Sequence, residues 1–260
     1  MDVQEIKKND VGSEEILRLE NVHFSYQVTP VTKDVSLKIN KGEIRAVIGP
    51  NGAGKSTILN LISGKYHPQK GKIAYKGKEI THMKPHQIRK LGISKSFQIT
   101  NIFPSYTVYE NVSLAVQGMI DEKYNFWRPP TSYPQIHEET TRVLDECHLT
   151  SVANVKAKEL SYAEQRQIEI ALSLAGKPDL LLLDEPTAGL SVEESQSLAR
   201  LVKSISNNNN LSVIFIEHDM DIVFTIADKI TVLYYGEIIV EDVPEKIKSN
   251  AKVQEVYLGS

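Results

Sequence analysis

The chain has 260 residues, of which 41% are hydrophobic and 24% charged, with a net charge of −3 and a sequence pI of about 6.2. This size and composition favour a packed globular protein, either one large α/β domain or a core with an inserted subdomain, and the slightly acidic balance argues against a nucleic-acid partner. The single cysteine, Cys147, excludes an internal disulfide and is expected to be a buried small side chain in a reducing cytosol.

The N-terminal residues are polar and lack the apolar segment of a signal peptide, so we expect residues 1–14 to form a flexible tail. No apolar stretch approaches the ~18 residues that a bilayer requires, so we expect no direct membrane span. A function at a membrane would therefore depend on docking to another chain.

The first predicted elements are strands. Apolar and polar residues alternate in three short runs, at 16–19, 22–26 and 35–39. A turn at 40–42 then leads into Ile44–Ile48, which we expect to be a buried strand.

A glycine-rich loop follows this strand and precedes an apolar-faced helix predicted at 57–62. It reads Gly49, Pro50, Asn51, Gly52, Ala53, Gly54, Lys55, Ser56 and Thr57, which matches the GxxxxGK[ST] phosphate-binding loop of nucleotide triphosphatases. The glycines let backbone N–H groups converge on phosphate oxygens, and the helix N-terminus adds partial positive charge. Lys55 is expected to reach the β- and γ-phosphates, and the Ser56 hydroxyl to bind Mg²⁺.

The remaining elements alternate in type along the chain. Strands are predicted at 71–75, 92–97, 180–183, 212–216 and 229–234. Helices are predicted at 85–90, 108–116, 138–149, 161–174, 192–206 and 220–227, and a turn at the four asparagines 207–210. This order indicates one mostly parallel α/β core that carries an inserted helical segment.

Two carboxylates, Asp184 and Glu185, end the apolar strand at 180–183. A buried central strand would deliver both to its C-terminal edge, beside the phosphate loop. Asp184 is placed to hold Mg²⁺ through water, and Glu185 to polarise a water aligned with the γ-phosphate. The pattern is weak by itself and becomes strong because it follows a phosphate loop.

The segment Leu160-Ser161-Tyr162-Ala163-Glu164-Gln165 resembles the signature motif of ABC ATPases in its LSYGEQ form. Other elements of that family are matched in order: Tyr26 for the aromatic that stacks on adenine, Gln98 for the Q-loop, residues 188–191 for the D-loop and His218 for the switch histidine. The resemblance covers residues 15–258, nearly the whole chain.

The resemblance implies a fold, which is α/β: a P-loop NTPase (RecA-like) core with an N-terminal antiparallel β-subdomain and an inserted helical subdomain. The core would comprise 15–98 and 171–260, and the helical subdomain 99–170.

The resemblance also implies roles for individual residues. The implied catalytic residues are Glu185, His218, Gln98 and Lys55. The implied ATP-binding residues are Tyr26, residues 49–57, Gln98, Ser161, Ala163 and Glu164. The implied Mg²⁺ ligands are Ser56, Gln98 and, through water, Asp184.

Two positions depart from the family pattern. Ala163 replaces the signature glycine, which adds a Cβ where a partner subunit's γ-phosphate would approach. Ser191 replaces the Asp or Asn that usually closes the D-loop. Neither change removes a catalytic group, so we expect an altered rate rather than an inactive site.

The sequence around these motifs resembles one subgroup of the family most strongly. Residues 96–98, 107–112, 217–221, 232–237 and 253–259 resemble ATP-binding subunits of branched-chain (hydrophobic) amino-acid importers. This implies an ATPase that pairs with a second ABC subunit, identical or not, and powers uptake through transmembrane permeases. It would lie in the cytoplasm, peripheral to the inner face of the cell membrane.

Alternative functions stay open at this point. Urea- and amide-importer ATPases look nearly the same, and the lipopolysaccharide-exporter ATPase shares the signature. A soluble ABC ATPase that moves no solute, and a non-hydrolysing regulatory subunit, represent other classes. The importer-like C-terminal residues disfavour the soluble ATPase. The non-hydrolysing subunit is disfavoured by the intact Lys55, Asp184, Glu185 and His218.

Two aromatic segments are candidate contact surfaces. Ile102, Phe103 and Tyr106 would form either a docking patch for membrane subunits or core of the helical subdomain. The long segment 117–137 carries the only tryptophan, Trp127, and would either contact a membrane subunit or the bilayer face or fold back onto the helices.

Overall fold

The structure is a computed structural model that describes residues 14–96, 102–119 and 133–258. The strands are β1 (Glu15–Tyr26), β2 (Thr29–Asn40), β3 (Ile44–Ile48), β4 (Lys70–Tyr75), β5 (Lys78–Glu79), β6 (Ile93–Lys95), β7 (Leu180–Asp184), β8 (Ser212–Ile216), β9 (Lys229–Tyr234) and β10 (Glu237–Asp242). The helices are α1 (Lys55–Ile62), α2 (Pro85–Leu91), α3 (Val108–Gln117), α4 (Pro134–Glu146), α5 (Tyr162–Leu174), α6 (Val192–Asn209), α7 (Met220–Ile226), α8 (Pro244–Lys248) and α9 (Ala251–Leu258).

Two sheets organise these elements. An antiparallel sheet has the strand order β2-β1-β4-β5. The larger sheet has the order β10-β9-β3-β8-β7-β6, and its neighbours are parallel except for the antiparallel pair β9–β10. The α/β core with an N-terminal antiparallel sheet, expected from the sequence, is confirmed.

Strands β3, β7 and β8 are buried along their whole length because both faces of the large sheet are covered. Side chains on one face, such as Leu181 and Phe215, join a core formed with α3–α7. Side chains on the other face, such as Leu182 and Ile214, join a core formed with α1, α2 and the antiparallel sheet. Each face of the large sheet therefore belongs to a different hydrophobic core.

Most predicted elements are present, with adjusted ends. The runs at 16–19 and 22–26 form one strand, β1, whose register shifts between Leu19 and Val22. The helix predicted at 138–149 begins earlier, at Pro134, and ends at Glu146.

The turn predicted at 207–210 is wrong for its first three residues, because α6 continues to Asn209. Only Asn210 leaves the helix, with a left-handed φ of 51° and its N–H on the Ser206 carbonyl. Asparagine tolerates this conformation, so one residue is enough to end the helix.

Strands β5 and β10 and helices α8 and α9 were not predicted. The expected tail 1–14 lies outside the described residues except for Glu14, and Gln98 and Trp127 lie outside them entirely. The domain boundaries stay a prediction. Within the described ranges, no helix has both the length and the apolar character needed to cross a membrane.

Candidate active site

The loop at 49–57 joins β3 to α1, and its glycines are required by backbone geometry. Gly49 and Gly54 have φ values of 149° and 102°, in the region that favours glycine. A Cβ would strike the carbonyl oxygen of Leu233 at Gly49 and that of Val31 at Gly54. The loop is therefore packed closely against two neighbouring strands, and α1 begins directly after it.

Lys55 extends back over this loop. Its Nζ donates to the carbonyl oxygens of Gly49 at 2.7 Å and Pro50 at 3.0 Å. Burial lowers the pKa of Lys55, and the charges of Glu185 and Asp184 oppose that shift. The ammonium thus lies within the electrostatic reach of both carboxylates.

Asp184, at the end of β7, is tied to α1 and β6 through separate oxygens. Its Oδ1 accepts a hydrogen bond from the Ser56 hydroxyl at 3.0 Å, and its Oδ2 lies 3.5 Å from the Nζ of Lys95. The same Nζ donates to Asn60 Oδ1 at 2.7 Å. The carboxylate is buried and held from two sides.

This pair of oxygen groups fits a magnesium ion. Mg²⁺ prefers hard oxygen ligands and usually takes only one or two carboxylates from the protein, with phosphates and waters completing its shell. Ser56 and Asp184 supply a hydroxyl and a carboxylate side by side. Among the described residues, no cluster of three or more His, Cys, Asp or Glu side chains could hold a metal ion by itself.

Glu185 and His218 meet at the adjoining strand ends. Parallel pairing of β7 and β8 aligns Asp184 with Ile216, and the Glu185 N–H donates to the Ile216 carbonyl at 3.1 Å. The Glu185 Oε1 then lies 2.9 Å from His218 Nε2. Glu185 has a φ of 53°, an uncommon left-handed conformation for a glutamate. Such strained positions often belong to functional sites.

A buried carboxylate beside His218 was missed by sequence reasoning. Glu217 Oε1 accepts hydrogen bonds from the Thr187 N–H at 2.9 Å and the Thr187 hydroxyl at 2.7 Å. Its Oε2 accepts from the His218 N–H at 3.2 Å. Glu217 therefore joins the turn that carries His218 to the segment after Glu185. The only signal was its place next to His218.

The signature segment caps α5. The Glu164 N–H donates to Ser161 Oγ at 3.3 Å, and the Ser161 N–H donates to Glu164 Oε2 at 2.8 Å. This reciprocal capping box explains the Ser and Glu spacing by helix formation alone. A role of Ser161, Ala163 and Glu164 toward nucleotide stays a prediction.

Tyr162 links the signature segment to residues 188–191. Its hydroxyl accepts a hydrogen bond from Arg166 at 2.6 Å and donates to the Ala188 carbonyl at 3.5 Å. Ser191, in turn, caps α6 together with Glu194. The serine that departs from the family pattern thus has a local structural role.

Tyr26 ends β1 with 45% of its surface exposed. Its ring packs edge-on against Phe24 and Tyr66, with centroid distances of 4.9 and 5.5 Å. A half-exposed, supported aromatic ring is suited to stacking on a base, and this role of Tyr26 stays a prediction.

The sequence-predicted residues therefore fall into two groups. Direct contacts join Ser56 to Asp184 and Glu185 to His218, and Lys55 lies close enough to both carboxylates for their charges to act on it. Tyr26 and the signature residues have contacts elsewhere, and Gln98 lies outside the described residues.

Comparison with known proteins gives concordant results. A family model described as ABC transporter matches residues 32–188. The chain is 33% identical over 252 residues to the high-affinity branched-chain amino acid transport ATP-binding protein BraF of Pseudomonas aeruginosa, covering 95% of this chain and 99% of that protein.

Solved structures of ATP-binding cassettes are similar to this chain. The ADP conformation of MJ1267, an ATP-binding cassette of an ABC transporter, is similar with a TM-score of 0.85 and 28% identity, over 95% of this chain and 100% of that one. The dimeric post-hydrolysis state of the ATP-binding cassette MJ0796, bound to ADP and Pi, has a TM-score of 0.74 and 26% identity, over 88% and 99%.

Proposed function

This chain belongs to the ABC transporter family, and from that premise we propose that it is the ATP-hydrolysing subunit of an importer for branched-chain amino acids. The observation that carries the hydrolytic part is the Glu185–His218 contact of 2.9 Å beside the phosphate loop. The likeness to BraF, which extends over almost the full length of both proteins, supports the transport part.

Each residue of the cluster has a distinct role in this proposal. Lys55 neutralises the β- and γ-phosphates of ATP. Ser56 and, through water, Asp184 would hold Mg²⁺, whose chemistry there is to neutralise phosphate charge. Glu185 orients and polarises the attacking water, and His218 holds the Glu185 carboxylate in place. Gln98 would contact the same water and metal.

A second subunit completes the site. In this arrangement the signature segment of one subunit, with Ser161 at the start of α5, faces the phosphate loop of the other. The first-turn N–H groups of a helix have no intrahelical partners and suit an anion. The dimeric MJ0796 cassette, bound to ADP and Pi, supports this part of the proposal.

The turn before α3 offers a surface for the permeases. Phe103 and Tyr106 are 55% and 45% exposed and their ring centroids lie 5.4 Å apart, so core packing does not account for them. Ile102 differs, because it packs partly buried against the core. We propose that the two aromatic rings contact a permease and hold the chain at the inner face of the membrane.

The hydrolytic role is tested with Glu185→Gln. This change keeps the size of the side chain and removes the base, so turnover should fall by ~10² or more while ATP still binds. Phosphate release and size-exclusion chromatography in ATP and Mg²⁺ measure both effects, and we expect the variant to accumulate as a closed dimer. Turnover close to that of the wild type would contradict the assignment of Glu185.

The transport role is tested in cells that carry Glu185→Gln in place of the wild-type gene. We expect uptake of radiolabelled leucine, isoleucine and valine to be lost, and uptake of urea to be kept. Loss of urea uptake instead would favour the amide-importer alternative. Unchanged uptake of all four solutes would favour an ABC ATPase without a transport role.

A further inference from the structure

Lys95 is a partly buried cation that the proposed mechanism does not use. It ends β6, next to β7 in the sheet, and only 18% of its side chain is exposed. Its Nζ donates to Asn60 Oδ1 at 2.7 Å and lies 3.5 Å from Asp184 Oδ2. One ammonium group thus connects the helix after the phosphate loop, the strand before Gln98 and the strand that carries Asp184.

A lysine at this position needs an explanation, because lysine is rarely buried without a partner and an apolar residue would suit a strand end between packed elements. The Asp184 carboxylate, 3% exposed, is held on Oδ1 by Ser56 and on Oδ2 by Lys95. Both oxygens are therefore oriented before any ligand arrives.

Two cations also face the two carboxylates near the loop. Lys55 and Lys95 lie near Asp184 and Glu185, as the contact of Lys95 with Asp184 and the influence of both carboxylates on Lys55 indicate. Without Lys95, an uncompensated carboxylate would face the incoming triphosphate. Two like charges held close together in a poorly solvated site repel strongly.

We propose that Lys95 is a positioning residue that orients and offsets the charge of Asp184, so that the site accepts ATP before the metal ion. This inference rests on the proposed ATPase function. It makes a prediction that a structural role for Lys95 would not make. Removal of the charge should weaken binding of metal-free ATP and strengthen binding of a divalent cation.

The test compares Lys95→Met and Lys95→Gln with Lys95→Arg, which keeps the charge, and with Lys78→Met, which removes an exposed lysine from β5. Titration of each protein with ATP in excess EDTA gives the metal-free affinity. Titration of the ADP-loaded proteins with Mn²⁺, followed by electron paramagnetic resonance, gives the metal affinity.

For Lys95→Met and Lys95→Gln we expect ATP affinity in EDTA to fall about fivefold to tenfold and Mn²⁺ affinity to rise by a similar factor, as for loss of one charge near the site. Lys95→Arg should stay within about twofold of the wild type because it keeps the positive charge. Lys78→Met should also stay within about twofold, the scatter usual for surface changes. The inference is overturned by any other pattern, including a fall in both affinities, a change in only one or no change in either. Phosphate release by the wild type in the same preparations reports separately on the proposed function.

Discussion

At Glu185 the backbone φ of 53° is one that glycine adopts freely and that other residues adopt at a cost of about 1 kcal/mol or more. The flanking strand pairing holds this conformation, since the Glu185 N–H donates to Ile216. Glycine would suit this backbone better, so the glutamate side chain is retained there at some expense of stability.

A pair of substitutions at this position tests the strain. We expect the free energy of unfolding of Glu185→Gly to be about 1 kcal/mol higher than that of Glu185→Ala. Only alanine retains the Cβ that opposes the left-handed conformation. Urea denaturation without nucleotide measures the difference, and both variants should lack turnover. Equal stabilities would show that the backbone at residue 185 is relaxed.

Lys55 carries the second residue-scale prediction. Its Nζ is already directed onto the carbonyls of Gly49 and Pro50, so little reorientation is needed when phosphate enters. Lys55→Ala should weaken ATP binding by about tenfold or more, which corresponds to ~1.4 kcal/mol, and should lower turnover as well. Fluorescence titration with an ATP analogue measures the affinity. An unchanged affinity would rule out the proposed contact.

At the scale of single elements, Asn111 in α3 holds the turn that exposes Phe103 and Tyr106. Its Oδ1 accepts from the Phe103 N–H at 2.7 Å, and its Nδ2 donates to the carbonyls of Phe103 at 3.1 Å and Thr107 at 2.9 Å. Asn111 is 1% exposed. The proposed permease surface thus depends on one buried amide.

Asn111→Ala should therefore lower the free energy of unfolding by about 1–3 kcal/mol, because it removes the hydrogen bonds of a buried amide to partly buried backbone groups of the turn. It should also reduce stimulation of turnover by the permeases, while ATP affinity stays close to the wild type. The matched control is Phe103→Ala, which removes an exposed ring and should reduce stimulation without loss of stability. Full stimulation in both variants would exclude this turn as the permease contact.

Cys147 reports on the packing of α4. It follows the last residue of that helix, is fully buried, and burial raises the pKa of its thiol. Only the thiolate reacts readily, so the native protein should resist thiol reagents and react fully after denaturation. A colorimetric thiol assay before and after addition of guanidinium measures this. Rapid reaction in the native state would show that the helical segment opens easily.

Elements that are determined by residues close together in sequence were predicted correctly. The phosphate loop and the strand that ends in Asp184 are examples. Sequence patterns failed where several residues of one type compete, as in the four asparagines near the end of α6, of which only Asn210 adopts the left-handed conformation. They also missed Lys95 and Glu217. Lys95 binds Asp184 and Glu217 binds Thr187, which are distant in sequence, so only the assembled sheet brings them together.

At the scale of the whole molecule, the large sheet belongs to both hydrophobic cores. Loss of either core would expose the same strands, so we expect the nucleotide-free protein to unfold in one cooperative step. Calorimetry should then give equal calorimetric and van't Hoff enthalpies. Two resolved transitions would show instead that the helical segment melts separately from the core.

The strand order also has a consequence for the chain while it is being synthesised. The central strand β3 ends at Ile48, but its two neighbours, β8 and β9, are completed only at Ile216 and Tyr234. Until the ribosome has made most of the polypeptide, β3 and the phosphate loop lack the strands that will flank them. Helices α3–α5 depend mainly on nearby partners and can form earlier. A nascent chain of this protein thus leaves its central, fully buried strand β3 without its neighbours for most of synthesis, and chaperones would be needed most at that stage.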